Sequence, residues 1–146
     1  MTKVLQRFSM SDAKLVGLTL LANCKLFGKQ SPKKKAEKSE MMKILYASAV
    51  GSLMYAMMCT RTDIEYAVGV VNRFMSNTGS EHMAVVKWIV RYLKGTFNMF
   101  LRFRFGKPLL EGFTNLNMSP DVDTSKSTYG YIMTYVGGAI SWQSRL

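Results

Sequence analysis

Histidine is almost absent from this sequence, cysteine is scarce, and acidic residues are far outnumbered by basic ones. With one histidine, His82, and two cysteines, Cys24 and Cys59, no metal-ligand spacing can be written, which excludes a zinc finger or a zinc-dependent enzyme. Two unpatterned cysteines imply reduced thiols, and therefore a cytoplasmic or nuclear setting. Residues 1–8 lack the apolar core of a signal peptide. The main apolar run, residues 44–59 (ILYASAVGSLMYAMMC), is shorter than the about 20 residues that span a bilayer and contains Ser48, Gly51 and Ser52. It predicts a buried helix and no membrane partner. No glycine-rich phosphate loop precedes a lysine, and no serine or cysteine has a believable base beside it.

Basic charge is what the sequence has in excess. Twenty Lys and Arg against nine Asp and Glu give a net charge of +11 in 146 residues. Such a balance favours polyanionic partners, and nucleic acid or an anionic membrane surface are the natural candidates. Much of the excess sits at residues 28–39, where Lys29, Lys33, Lys34, Lys35 and Lys38 surround Pro32. That run is either a solvated linker or a landing strip for phosphates.

Periodicity divides the rest. Residues 4–10 read as the end of a helix, and residues 15–26 as irregular or extended. A helix is expected over residues 40–59, apolar on most of its circumference. A second is expected from Thr62, which forms a Thr-x-x-Glu capping box with Glu65, with Ile64, Ala67, Val68, Val71 and Met75 at helical spacing. A third should start near residues 78–80 and end at Lys94, with Gly95 as its stop. On it Val85, Val86, Trp88, Ile89, Tyr92 and Leu93 form the apolar side. Lys87, Arg91 and Lys94 follow at spacings of four and three and share one face. That face either contacts phosphates, as a candidate nucleic-acid-binding site, or is a solvated stripe.

After Gly95 the period changes to two. Residues 99–105 alternate as a strand, and further strands are expected at 110–114, 128–135 and 139–142, the last two joined by a hairpin at 136–138. The expected class is α+β, organised as an irregular segment with a lysine-rich linker (1–39), a helical segment (40–97) and a small antiparallel meander (98–146). A meander without a covering helix leaves one sheet face exposed.

Three stretches together resemble one family. YASAVGSLMYAMMCTRTDI (46–64), VKWIVRYLKGT (86–96) and GFTNLNMSPDVDTSKSTYGYIMTYVGGAISWQSRL from Gly112 are similar to the copia-type class of long-terminal-repeat retrotransposon Pol polyproteins. The resemblance covers essentially the whole chain. It implies that the helical segment corresponds to the reverse-transcriptase thumb and connection, and the strands to the opening of a ribonuclease H-like fold. In that domain a pair of divalent metals, Mg²⁺ in the intact family, is held by carboxylates and cuts the RNA strand of a hybrid. The polymerase metal site of the family, Tyr-Val-Asp-Asp, lies upstream of the matched part.

The departures bear on chemistry. Where the family's first ribonuclease H strand ends in Asp-x-Asp, this chain has Asn115 and Asn117. An amide keeps a carbonyl oxygen but loses the charge that offsets dehydration of Mg²⁺. The family's next catalytic Glu lies on a helix beyond Trp142, past the last residue of this sequence. The expectation is therefore no catalytic residue, no metal site and no cofactor. Asp121 and Asp123 are either turn formers or ligands for a loosely hydrated cation. Leu15, Thr19, Leu45 and Thr62 stand where the family usually has proline, a change to chain entry into the helices rather than to chemistry. The expected function is a non-catalytic polyprotein fragment with weak, sequence-independent affinity for nucleic acid. The alternatives are a ribonuclease H or reverse-transcriptase subunit completed by a partner chain, and a protein-interaction module.

Overall fold

The computed structural model describes residues 8, 10, 12–20, 24, 26–42, 44–103, 108–117 and 127–145. Among them are helices α1 (Lys35–Met42), α2 (Tyr46–Cys59), α3 (Glu65–Asn72) and α4 (Ser80–Gly95). Strands β1 (Leu110–Asn117), β2 (Thr128–Tyr135) and β3 (Gly138–Arg145) follow and form one sheet in the order β1-β2-β3. Short 3-10 turns occupy Gly28–Gln30 and Thr62–Ile64. This is the α+β arrangement expected from the change of period at Gly95.

The core lies where α2, α3 and α4 converge. Tyr46, Ala49, Val50 and Leu53 recur at helical spacing on α2, and Ile64, Ala67, Val68 and Val71 meet them from the α3 side. Helix α4 closes the core with Met83, Val86, Ile89, Val90 and Leu93. Each such side chain contributes about 1.5–3 kcal/mol when fully buried. Tyr46 keeps its polar end satisfied by donating to the Val71 carbonyl at 2.6 Å, and burial pushes its hydroxyl pKa up to about 12. Most of the apolar run that sequence composition flagged becomes α2, but it packs one face in the core and leaves Tyr55 and Met58 exposed rather than being buried as a whole. No helix among the described residues is long and apolar enough to cross a membrane.

Several boundaries differ from the sequence expectations. The helix expected over residues 40–59 is two, because Leu45 leaves helical geometry (ψ 50°) before α2. Helix α1 starts at Lys35, inside the lysine run, whose polar residues are helix formers as well as loop residues. The capping box at Thr62 does not form: Thr62 lies in a 3-10 turn, and the Glu65 carboxylate accepts from the Ser144 amide instead. Met75 falls after the end of α3 and is exposed. Residues 99–103 form no strand, since alternation alone does not secure a hydrogen-bonded partner. Residues 104–105 of that expectation, and residues 4–7 and 9 of the helix end expected at 4–10, lie outside the described residues, while Phe8 and Met10 are not helical. The Phe103 ring packs instead on Gly138, where a Cβ would stand 2.5 Å from a ring carbon.

Helix α4 begins where its sequence indicates, but Gly95, expected as its stop, is its last helical residue and Thr96 is the C-cap. Its buried His82 accepts from the Gly79 amide through Nδ1 at 2.9 Å, and Nε2 lies 3.3 Å from the Phe27 carbonyl. The ring also stacks on Phe74 at 4.1 Å. Gly79 is required at that corner, because a Cβ would come within 2.2 Å of the Gln30 carbonyl oxygen.

In the sheet, β1 and β2 pair from Leu110↔Tyr135 to Asn117↔Thr128, and β2 and β3 pair with one bulge near Met133/Thr134. The face containing Ile132 and Ser144 turns toward α3, whereas Leu110, Leu116, Tyr129, Met133 and Tyr135 on the other face stay exposed. The β2–β3 hairpin turns on Val136 (φ 51°) and Gly137 (φ 74°). Positive φ at both loop positions belongs to a type I′ turn, which favours Asn-Gly. A β-branched residue there is strained by about 1–2 kcal/mol. Val136→Asn should therefore raise stability by about 1 kcal/mol and the midpoint of thermal unfolding by about 4 °C. An unchanged or lowered midpoint would show that the Val136 side chain offsets its backbone strain.

Candidate nucleic-acid interface

The three cations singled out on α4 do share a face, but their surroundings differ. Lys87 is exposed, whereas Arg91 and Lys94 are half-buried beneath residues 13–18. Arg91 donates through Nε to the Lys14 carbonyl, and Lys94 donates through Nζ to the Ala13 carbonyl at 2.9 Å. Trp88 donates through Nε1 to the Leu18 carbonyl at 2.9 Å, and the Arg91 guanidinium lies 5.1 Å from the Trp88 ring centroid. Arginine carries five N–H donors and lysine three, so neither cation is used up by one carbonyl. An exposed bond of this type contributes about 1 kcal/mol, while ordering each residue of the segment costs about 1–2 kcal/mol. With Val16 packed against the core, the balance leaves the segment held only weakly.

A polar cluster fixes the end of the same helix. Arg61 is buried, 5% exposed, and grips both Asp63 oxygens, Nε to Oδ1 at 3.0 Å and an N–H of the fork to Oδ2 at 2.7 Å. Its remaining donors reach the Thr96 carbonyl at 3.2 Å and the Thr96 hydroxyl at 2.6 Å. The Tyr92 hydroxyl donates to Asp63 at 2.7 Å, and the guanidinium lies 5.6 Å from the Tyr92 ring centroid. Burial alone would raise the Asp63 pKa, but the bonds from Arg61 and Tyr92 outweigh it and hold the carboxyl below its ordinary 3.8. The hydrogen bond to Asp63 raises the Arg61 pKa against the opposing effect of burial. Composition gave no hint of this cluster. Its signal in the sequence was an arginine two residues before an aspartate at a helix joint.

Asn115 lies on β1 opposite Gly130 and lines a groove of about 270 Å³ with Asp63, Glu65 and Tyr131. The Asn117 side chain, Asp121 and Asp123 lie outside the described residues. Asn115 is neutral, Asp63 is committed to Arg61 and Tyr92, and Glu65 accepts from the Ser144 amide. Burial raises the Glu65 pKa, and the bond from Ser144 partly opposes that rise. Magnesium needs anionic oxygens that are free to coordinate. The donors described in this groove do not fit a magnesium ion.

The depressed Asp63 pKa has a direction in stability. The unfolded carboxyl takes up its proton first as pH falls, so the contribution of Asp63 is complete above the ordinary carboxylate range and is lost as pH falls through the lower folded value. Asp63→Asn should cost about 1–2 kcal/mol at pH 7 and flatten the loss of stability below about pH 4. Arg61→Ala, which strands a carboxylate and a carbonyl, should cost about 2–3 kcal/mol. Denaturant melts at pH 7 and pH 3 make the comparison. An acid limb in Asp63→Asn as steep as the parent's would show that other carboxyls control acid sensitivity.

Comparison with known proteins places the chain. It is 53% identical over 144 residues, 99% of its length, to the Retrovirus-related Pol polyprotein from transposon TNT 1-94 of Nicotiana tabacum, of which it spans 11%. It is 39% identical over 101 residues to the Retrovirus-related Pol polyprotein from transposon RE1 of Arabidopsis thaliana, of which it spans 7%. A third relative, Secreted RxLR effector protein 161 of Plasmopara viticola, is 39% identical over 106 residues, 72% of this chain and 75% of that protein. No family model matches, and no solved structure matches. The arrangement of motifs and the identity along its whole length carry one conclusion: this chain belongs to the family of copia-type retrotransposon Pol polyproteins.

Proposed function

We propose that the chain is a non-catalytic piece of a Pol polyprotein that binds nucleic acid weakly and without sequence preference, in a cytoplasmic or nuclear setting. In this reading the helices act as a thumb-and-connection-like segment, and the strands as the opening of a ribonuclease H-like fold. The observation that carries it is the face of α4. Lys87 is exposed one turn before Arg91 and two before Lys94, on a helix anchored by Val86, Ile89, Val90 and Leu93. A rigid helix with cations at these spacings can follow phosphates without reading bases. The absence of catalysis rests on Asn115 and Asn117, which carry no charge where the family has metal-binding carboxylates, and no metal cofactor is assigned.

Non-specific binding of this kind has a dissociation constant of about 10⁻⁴–10⁻⁶ M at physiological salt, and each phosphate contact adds about −0.9 to the slope of log affinity against log salt on duplex DNA. Replacing Lys87, Arg91 and Lys94 together by Ala should flatten the slope by up to about 2.7 and weaken binding equally on unrelated sequences. Replacing Lys33, Lys34 and Lys35, which are exposed at the start of α1, provides the control. If the α4 variant keeps the parent slope while the α1 variant loses it, the role assigned to α4 is wrong. In the same preparations a labelled RNA–DNA hybrid with Mg²⁺ should stay intact. Chelator-sensitive cleavage would overturn the non-catalytic assignment.

A second reading, a protein-interaction module, is favoured by the exposed sheet face of Leu110, Leu116, Tyr129, Met133 and Tyr135. An apolar patch of that kind marks a protein contact more often than a phosphate site. A salt-insensitive protein complex weakened by Leu110→Ser and Leu116→Ser would favour it over the first.

A further inference from the structure

We infer that residues 13–18 are a built-in cover for the basic face of α4, an autoinhibitory contact that must lift before Arg91 and Lys94 can take phosphates. The segment lies antiparallel to the helix: the Leu18 carbonyl meets Trp88, the Lys14 carbonyl meets Arg91, and the Ala13 carbonyl meets Lys94. All three acceptors are backbone oxygens of one short stretch, and two of the three donors, Arg91 and Lys94, stand on the face proposed to meet nucleic acid, with Trp88 beside it. The backbone also closes on the helix end, where a Cβ at Gly95 would lie 3.4 Å from the Val16 carbonyl oxygen.

The chemistry makes cover and nucleic acid competitors. A carbonyl oxygen and a phosphate oxygen want the same N–H donors, and the phosphate is the stronger acceptor because it is charged. In the closed state Arg91 Nε and Lys94 Nζ each have one donor committed to the chain itself, and both side chains are half-buried. Lys87 stays exposed, so the closed chain keeps one of the three contacts. The segment is seated by few apolar contacts: Val16 and Leu20 pack against the core, while Leu15 and Leu18 are exposed. Two of its three bonds to the helix, those from Arg91 and Lys94, are the ones that nucleic acid would replace.

The inference rests on the nucleic-acid reading above, and the test separates the two. A Cβ at Gly95 lies 3.7 Å from the Leu15 Cβ, inside the roughly 3.5–4.5 Å range of disulfide-bonded pairs. In the full chain with Cys24→Ser and Cys59→Ser, the pair Leu15→Cys and Gly95→Cys locks the cover when oxidised and frees it when reduced. Binding of a fluorescent DNA duplex is followed across a salt series in both states. Two more phosphate contacts in the freed form steepen the slope by up to about 1.8. Raising salt fourfold should then weaken the reduced form by up to about tenfold more than the oxidised form. Val16→Asn in the otherwise unaltered chain loosens the cover without a cysteine and should bind more tightly than the parent.

Equal slopes in the oxidised and reduced states, together with a parent-like Val16→Asn, would overturn the cover. If the triple replacement of Lys87, Arg91 and Lys94 still flattened the slope, the nucleic-acid reading would survive that result. Failure of both redox states and of Val16→Asn to bind the duplex at low salt would overturn the cover and the reading together.

Discussion

A single planar cation holds the joint between α2 and α3 against the far end of α4. Taking the Arg61 guanidinium out of water costs several kcal/mol unless its donors are met, and they are met from two directions: the Asp63 carboxylate two residues away, and the carbonyl and hydroxyl of Thr96. The carbonyl at the C-terminal end of α4 would otherwise need water or a cap. Because Arg61 is fixed in the short connection after α2, it sets where α4 ends. The last turn, with Arg91 and Lys94, is then presented in a fixed orientation. Tyr92 closes the arrangement, with its ring beside the guanidinium and its hydroxyl on the carboxylate.

The same joint connects helices to sheet. Asp63 and Glu65 are two residues apart, and their carboxylates go opposite ways, one to Arg61 and Tyr92, the other to the Ser144 amide on β3. Acidic residues are few in this chain, and these two serve as structural acceptors near Asn115. The sheet is thus pinned along β3 while its other face, with Leu110, Leu116 and Tyr129, stays open. The polar chemistry of the molecule is concentrated where elements meet, and the apolar surplus is on the sheet.

The parts legible in the sequence are those that local patterning controls. The apolar positions of α4 and its start near Ser80 follow from helical spacing and start signals, and β2 with its hairpin follows from alternation and Gly137. What stayed hidden depends on partners distant in sequence. Residues 99–103 alternate like a strand but pair with no strand of the sheet. The Thr62–Glu65 capping box is defeated by Ser144, which lies 79 positions from Glu65. Helix α1 is obscured because lysines suit loops and helix surfaces alike. The face of Lys87, Arg91 and Lys94 was legible as a face, yet nothing in its spacing shows that residues 13–18 lie over two of its cations.

In the proposed function, phosphates meet the chain on α4 and displace the segment above it. Amide chemical-shift mapping with a short DNA duplex addresses that directly. The predicted result is a contiguous set of perturbed amides over residues 13–18 and 87–94, shrinking as salt is raised. Perturbations confined to residues 33–38, with 13–18 and 87–94 unmoved at saturating duplex, would contradict it.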